Sequence, residues 1–409
     1  MAENVSAECC VVGGGPAGMM LGLLLARSGV RVTVLEKHKD FLRDFRGDTV
    51  HPSTLQILSE IGLFERFDQL KQHKARDLKI AFGDHMQPFV EFRGLKPFDY
   101  LALVPQWDLL DLLASEGKKY PNFDLRMSTK ATGLIDGNGR SVGVRAESAA
   151  GALEIRANLV VGTDGRHSTL RDAAAFTPIE FGAPMDVLWF RVPRKPDDPE
   201  DVFGRVSRGH MMVMLNRDDY WQCAFVVPKG DNDKLRTQPI ESFREEVAGV
   251  APLLKDRMEA LASWDDVKFL EVKVNRLLTW HKPGLLLIGD AAHAMSPVGG
   301  VGINLAIQDA VAAANVLAPA LRGGGKPDDA TLARVQARRE FPTKFTQGLQ
   351  GQIQKRVVSR ALASTSDITE LPAWIRFLLR FRFVRHIPAR VIGYGVRREH
   401  VHIAPAPPA

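Results

Sequence analysis

The sequence predicts an α/β protein: a Rossmann-like nucleotide-binding domain with a parallel sheet, a second domain made of an antiparallel sheet, and a set of C-terminal helices. Three observations carry that expectation. A strand, glycine turn, helix and strand follow one another in "ECCVVGGGPAGMMLGLLLARSGVRVTVLE" at 8–36, the order of a βαβ unit. The middle of the chain turns to β-branched and aromatic runs, as pleated antiparallel strands require. The first style then returns in "GLLLIGD" at 284–290, an apolar run suited to a strand covered on both faces.

The elements follow in order. A helix is expected from about Pro52 to Phe67, with Pro52 and Ser53 suited to its first turn. Another should run from about Trp107 to Lys119, and "LVVGTDG" at 159–165 reads as a buried parallel strand ending in a turn. "DVLWFRVPR", "HMMVMLNR", "YWQCAFVVPKG" and "DVKFLEVKVNRLLTW" are separated by turn residues and predict the antiparallel sheet. The chain is therefore expected to leave the nucleotide domain and come back to it. Residues 1–75, 101–178 and 276–327 would form that domain, 76–100 and 179–275 the sheet domain, and 328–409 the helical segment. A length of 409 residues fits two domains with an appendage.

Composition excludes several classes. With 45% hydrophobic and 25% charged residues the chain reads as globular. "MAENVSAECC" has no cationic stretch before an apolar core, so no secretory leader is expected, and no uninterrupted apolar run reaches bilayer-spanning length. The cytosol is the expected location. Cys9, Cys10 and Cys223 suit small core residues rather than a disulfide framework or a zinc site, and no metal site is expected. The net charge of +6 is concentrated after residue 350. No module that reads nucleic acid accompanies it, so no nucleic-acid partner is expected.

Gly13, Gly15 and Gly18 form a G-x-G-x-x-G between strand and helix. The first lets the chain turn, the second lets the backbone approach a pyrophosphate, and the third permits close helix packing, while the helix start turns free N–H groups to the phosphates. Glu36, followed by Lys37, ends the second strand where a carboxylate accepts from both ribose hydroxyls of an adenosine. A carboxylate there would repel a 2′-phosphate, so the ligand should be FAD or NAD rather than NADP. Arg46 suits either a phosphate clamp or a solvated surface arginine. Gln106 suits either an amide bonded to ligand hydroxyls or an ordinary helix start. Asp164 and Asp290 both stand at strand ends, in "VVGTDGRHSTLR" and "LLLIGDAAHA". Gly299, Gly300 and Gly302 then open a second helix that aims N–H groups and a positive dipole end at something electron-rich. FAD is long enough to reach that helix start from the first glycine turn.

Three motifs in order, "GGGPAG" with Glu36, "GTDGRHSTLR" at 162–171 and "GDAAHAMSPVGGVGINLAIQDA" at 289–310, resemble the class A flavoprotein aromatic hydroxylases, the family of para-hydroxybenzoate hydroxylase. The resemblance covers roughly residues 8 to 345. It implies that Arg46 lies beside the FAD pyrophosphate, Gln106 near the ribityl chain, Asp164 in a motif shared by FAD and NAD(P)H, and Asp290 at the ribityl hydroxyls. Pro297, Gly299, Gly300, Gly302, Ile303 and Asn304 would form the loop against the flavin ring, with Pro297, Gly299 and Gly300 nearest the chemistry. Val301 departs from the glutamine that many relatives carry between the glycines. The implied reaction is reduction of FAD by NADH or NADPH, formation of a flavin C4a-hydroperoxide from O2, and hydroxylation of a small aromatic substrate. His293 is expected to be structural. A reductase of the geranylgeranyl-reductase type, or a flavin-binding module without turnover, is the rival expectation.

For the substrate pocket, Met212 and Met214 share one face of their strand, and Trp221 and Cys223 share one face of the next. These four, with Trp189 and Arg191, are the expected pocket residues, and their largely apolar character favours a phenol, quinolone or polyketide-like aromatic. After residue 350, arginines alternate with Trp374, Phe377, Leu378, Phe381 and Phe383. That pattern suits either a helical cap on the two domains or an amphipathic helix making peripheral contact with the inner face of a membrane.

Overall fold

The computed structural model describes residues 3–42, 49–82, 85–200, 202–207, 209–363 and 373–406. The strand Glu3–Val12 is central to a parallel sheet, flanked by Val32–Leu35 and Phe123–Arg126 on one side and by Gly151–Gly162 and Leu285–Leu287 on the other. Each strand of this sheet that reads as a continuous apolar run is covered on both faces, and Cys9 to Val12 are buried. Helix α1 (Pro16–Arg27) makes the crossover, and Ala17 to Ala26 are all buried. Helix α2 (Pro52–Glu60) is shorter than expected. Gly62 takes φ +76° and a separate short helix resumes at Phe64–Asp68, because a left-handed residue cannot continue a right-handed helix. Helix α3 (Gln106–Gly117) matches its expected span within two residues. An antiparallel pair, Lys130–Gly137 and Arg140–Ser148, hangs from the Gly151–Gly162 strand and was not anticipated.

The second sheet has seven strands, in the order Lys268–Leu270, Met185–Pro193, Tyr220–Pro228, His210–Asn216, Val202–Ser207, Asp77–Phe82 and His85–Glu91. It is antiparallel except where Val202–Ser207 runs parallel to Asp77–Phe82, since those neighbours come from distant parts of the chain and need no hairpin between them. Helix α4 (Ile240–Val250) and the turn Pro252–Ala260 cover one face. Phe190, Met212, Met214, Trp221, Cys223 and Phe225 pack there with Phe243 and Val247. The opposite face looks toward the nucleotide domain.

Helix α5 (Gly302–Leu321) is long and apolar enough to cross a bilayer, yet most of its apolar window is buried within the fold. It packs between α1 and α6 (Asp329–Ile353). Its apolar length therefore serves the core. Helices α7 (Ala373–Leu379) and α8 (Arg382–Tyr394) follow. The inner side of α8 docks on the fold: Arg382 and Arg385 both reach Glu91 at 2.7 Å, and the Tyr394 hydroxyl donates to the Phe98 carbonyl at 2.7 Å. Cys9, Cys10 and Cys223 are free thiols, all buried.

Candidate active site

The glycine turn is shaped by close contacts. Gly13 has φ +108°, and a Cβ on it would sit 2.6 Å from the Thr163 carbonyl oxygen. A Cβ on Gly18 would sit 1.9 Å from the Gly13 carbonyl oxygen, so this position exists for helix packing. A Cβ on Gly15 would meet nothing within 4 Å among the described residues. That open side gives onto a cavity of about 710 Å³ lined by Gly13, Gly15, Glu36 and Lys37. Gly15 caps α1 without a side-chain bond, which leaves the first N–H groups of the helix for a ligand. The Glu36 carboxylate accepts from the N–H groups of Gly14 at 2.9 Å and His38 at 3.0 Å. Gln106, the first residue of α3, also lines the cavity. Arg46 lies outside the described residues.

Two strand ends bring aspartates to the same space. Asp164 accepts from the Ser168 hydroxyl at 2.5 Å and the Leu170 N–H at 3.2 Å, so it also starts the short helix Thr169–Ala173. Burial raises its pKa, against the pull of those donors. Asp290 lies beside the Arg166 guanidinium at 3.3 Å. Pro297, Gly299, Gly300, Gly302 and Ile303 continue the cavity wall. Gly299 and Gly300 take φ +79° and +61°, conformations that side-chain-bearing residues avoid.

Asn304 needs a correction. Its side-chain oxygen accepts from the His51 N–H at 2.8 Å and the Thr54 hydroxyl at 2.7 Å, and its amide donates to the Thr49 carbonyl at 3.1 Å. The side chain is thus a clamp between α5 and the 49–54 segment rather than a ligand contact. His51 is fully buried, with Nδ1 2.8 Å from the Ile392 carbonyl, and burial lowers its pKa to about 4. His293 is buried against Asp309 at 2.6 Å, away from the cavity wall.

The substrate-side expectations need a larger correction. Register sets Trp189 opposite Ala224, and Ala224 opposite Val213. These residues, with Met185, Val187, Met211, Leu215 and Val226, form the apolar wall of the cavity. Phe190, Cys223 and Met214 lie in the adjacent row, whose side chains point to the other face. Met212, Met214, Trp221 and Cys223 are therefore core residues beneath α4, fully buried. Burial also pushes the Cys223 thiol far up, so it is no nucleophile. Arg191 is exposed, with its guanidinium 6.0 Å from the Tyr220 ring, and does not line the cavity. Strand alternation told which residues share a face but not which face α4 covers. The apolar positions Phe243, Val247 and Val250 within Ile240–Val250 were the signal that a helix would claim one side.

The cavity is one continuous space from the first glycine turn, past Asp164 and Asp290, to Gly299 and the apolar wall. An open cradle at Gly15, uncapped α1 amides and a carboxylate at Glu36 suit the pyrophosphate and ribose of FAD. Fold and cavity together define a dinucleotide-binding flavoprotein whose cavity ends on an apolar wall. The chain belongs to the FAD binding domain family, which matches residues 6–347. It is 33% identical over 350 residues to 6-methylpretetramide 4-monooxygenase of Streptomyces rimosus, covering 84% of this chain and 83% of that protein. It is 22% identical to para-nitrophenol 4-monooxygenase of a Pseudomonas species, covering 81% and 82%. Its fold is that of Pseudomonas aeruginosa PqsL, solved with 2-aminobenzoylacetate, at a TM-score of 0.76, 21% identity, and coverage of 88% and 98%. The protein is an FAD-dependent monooxygenase that acts on an aromatic substrate.

Proposed function

We propose that the protein uses NADH or NADPH and O2 to hydroxylate a polycyclic, polyketide-like aromatic molecule. The observation that supports this is the wall of Met185, Val187, Trp189, Met211, Val213 and Ala224, which extends the cavity beyond the flavin loop with apolar side chains. An apolar wall of this kind favours a flat, weakly charged ligand over a small acid. Bound FAD supplies the two-electron chemistry with the nicotinamide and the activation of dioxygen. In this reading Gly13, Gly15 and the α1 amides hold the pyrophosphate, Glu36 the adenosine ribose, and Gln106, Asp164 and Asp290 the ribityl region. Pro297 to Gly302 face the flavin ring, where the start of α5 stabilises negative charge. The apolar wall excludes water from the reacting oxygen.

The test follows NADH and NADPH oxidation and oxygen uptake with tetracyclic and tricyclic phenols and with small phenols. The expected result is turnover stimulated by a polycyclic compound, with a product heavier by one oxygen atom. Reduction of the compound without oxygen transfer would favour the reductase, and no stimulation by any compound would favour a flavin-binding module. Stimulation by small phenols alone would overturn the polycyclic assignment.

We also infer a peripheral contact with an anionic lipid surface. Trp374, Phe377, Phe383 and Ile387 are exposed on α7 and α8, alongside the exposed Arg376, Arg380 and Arg390. This combination suits an interfacial helix. Sedimentation with phosphatidylglycerol vesicles, but not phosphatidylcholine vesicles, is expected at low salt and should be weakened by Phe383→Ser. Equal recovery in the supernatant with both would remove the inference.

A further inference from the structure

Gln347 and Gln350 on helix α6 and Gln354, which begins the π-turn that continues it, follow one another at helical spacing and are all buried. Each turns its side-chain amide toward the segment 294–298, which leads into the flavin loop. Gln347 Nε2 donates to the carbonyls of Asn275 at 2.8 Å and Ala294 at 3.1 Å. Gln350 Nε2 donates to those of Ser296 at 2.9 Å and Val298 at 2.7 Å. Gln354 Nε2 donates to the Ser296 hydroxyl at 2.8 Å.

Gln350 is the centre of this ladder. Both hydrogens of its amide are spent on two carbonyls, while its own Oε1 is buried with no hydrogen-bond partner among the described residues. The reverse orientation of the amide would set an acceptor against two acceptors, so the network fixes which end is nitrogen. A buried acceptor left unpaired costs stability, and the arrangement needs a reason. Peptide geometry provides one. In a trans peptide the carbonyl of one residue and the N–H of the next point in opposite directions. Holding the Val298 carbonyl against Gln350 therefore turns the Gly299 N–H away from the Gln350 amide, and Gly299 lines the cavity. The turn is closed by the Gly300 N–H donating to the Pro297 carbonyl at 3.0 Å, and the positive φ angles of Gly299 and Gly300 let it fold this way.

We propose that Gln350, supported by Gln347 and Gln354, is a positioning residue that holds the Gly299 N–H toward the electron-rich edge of the bound flavin, and so favours the reduced, more negative flavin over the oxidised one. A fixed donor stabilises developing charge because it need not reorient when the charge appears. The ladder gives the C-terminal helix a part in flavin chemistry although none of the three glutamines lines the cavity. The same helix continues into a π-turn at Gln354–Val358, whose Val357 and Val358 do reach the chamber.

The proposal rests on FAD binding and not on the choice of aromatic substrate, so its test needs neither NAD(P)H nor substrate. Gln350→Leu holoenzyme is purified, its FAD content measured, and its two-electron midpoint potential determined by anaerobic dye equilibration. The expected result is retained FAD with reduced flavin bound about tenfold less favourably relative to oxidised flavin, a fall of about 30 mV. A purely structural role would weaken both redox forms alike and leave the potential unchanged; Gln350→Leu with bound FAD and the wild-type potential overturns the proposal. Should Gln350→Leu fail to retain FAD, Gln354→Leu decides, since it removes only the bond to the Ser296 hydroxyl. A smaller fall in the same direction supports the ladder, and an unchanged potential overturns it.

Discussion

At the scale of single residues, the two glycines that flank the first turn separate folding from binding. Gly13→Ala would place a methyl 2.6 Å from a backbone oxygen at φ +108°, strain worth roughly 1–3 kcal/mol or more. It should lower the Tm of the apoprotein. Gly15→Ala meets nothing within 4 Å, so the apoprotein should keep its Tm while FAD affinity falls at least tenfold, as read by fluorescence titration. Equal Tm losses in the two variants would contradict this division. Glu36→Ala removes a charged acceptor and frees the Gly14 N–H, and FAD binding should weaken by about ten- to a hundredfold. His51 adds a pH dependence. Burial holds its folded pKa at about 4, below the ordinary 6.5, so the folded state favours the neutral ring. Its contribution is fully present above about pH 6.5 and is lost as pH falls toward 4, an amount on the order of 3 kcal/mol. Urea unfolding between pH 7 and 5 should show a steeper loss of stability for the wild type than for His51→Gln; parallel curves would refute the assignment.

At the scale of elements, the glycine turns and strand-end aspartates were legible because each sits in a local pattern whose geometry only one or two residue types satisfy. The sheet faces were not. Met214 and Val213 are neighbours in one strand, and alternation alone cannot say which of them faces the flavin side. The corrected assignment has opposite consequences for the two. Met214→Ala removes a fully buried side chain beneath α4, and unfolding free energy should drop by about 2–5 kcal/mol with KM for the aromatic substrate unchanged. Ala224→Phe, on the cavity wall beside Trp189 and Val213, should raise KM severalfold or abolish turnover while FAD remains bound. The reverse pattern would restore the earlier choice of face. Helix α2 taught a similar lesson: its apolar spacing continues through Phe67, but Gly62 in a left-handed turn breaks it.

At the scale of the whole molecule, one buried network ties the segment 289–293, which follows the strand Leu285–Leu287, to Glu399 in the C-terminal segment. Asp309 on α5 holds His293 at 2.6 Å and Arg339 on α6 at 2.8 Å, and Arg339 reaches Glu399 at 3.2 Å. Burial works to raise the Asp309 pKa, and its contacts with His293 and Arg339 outweigh it and hold the carboxylate below its usual range. Asp309 also accepts from the Gly289 N–H at 3.1 Å, next to Asp290. Removing one member strands a buried charge, so Arg339→Leu should cost about 3–5 kcal/mol, measured as a fall in Tm of the holoenzyme. A change within about 0.5 kcal/mol, the range of ordinary surface substitutions, would show that the network carries little stability.

The sequence alone determined the nucleotide half of the protein. Glycines at fixed offsets, a carboxylate closing the second strand and two strand-end aspartates are short-range patterns, and their meaning survives without knowing what packs beside them. Only the tertiary structure decided the rest: which face of the second sheet lines the cavity, that the Asn304 side chain clamps the 49–54 segment, and that Gln347, Gln350 and Gln354 hold a loop some fifty residues upstream. Those outcomes depend on contacts between distant parts of the chain, and a periodic pattern shows that a face will be buried without showing what will bury it.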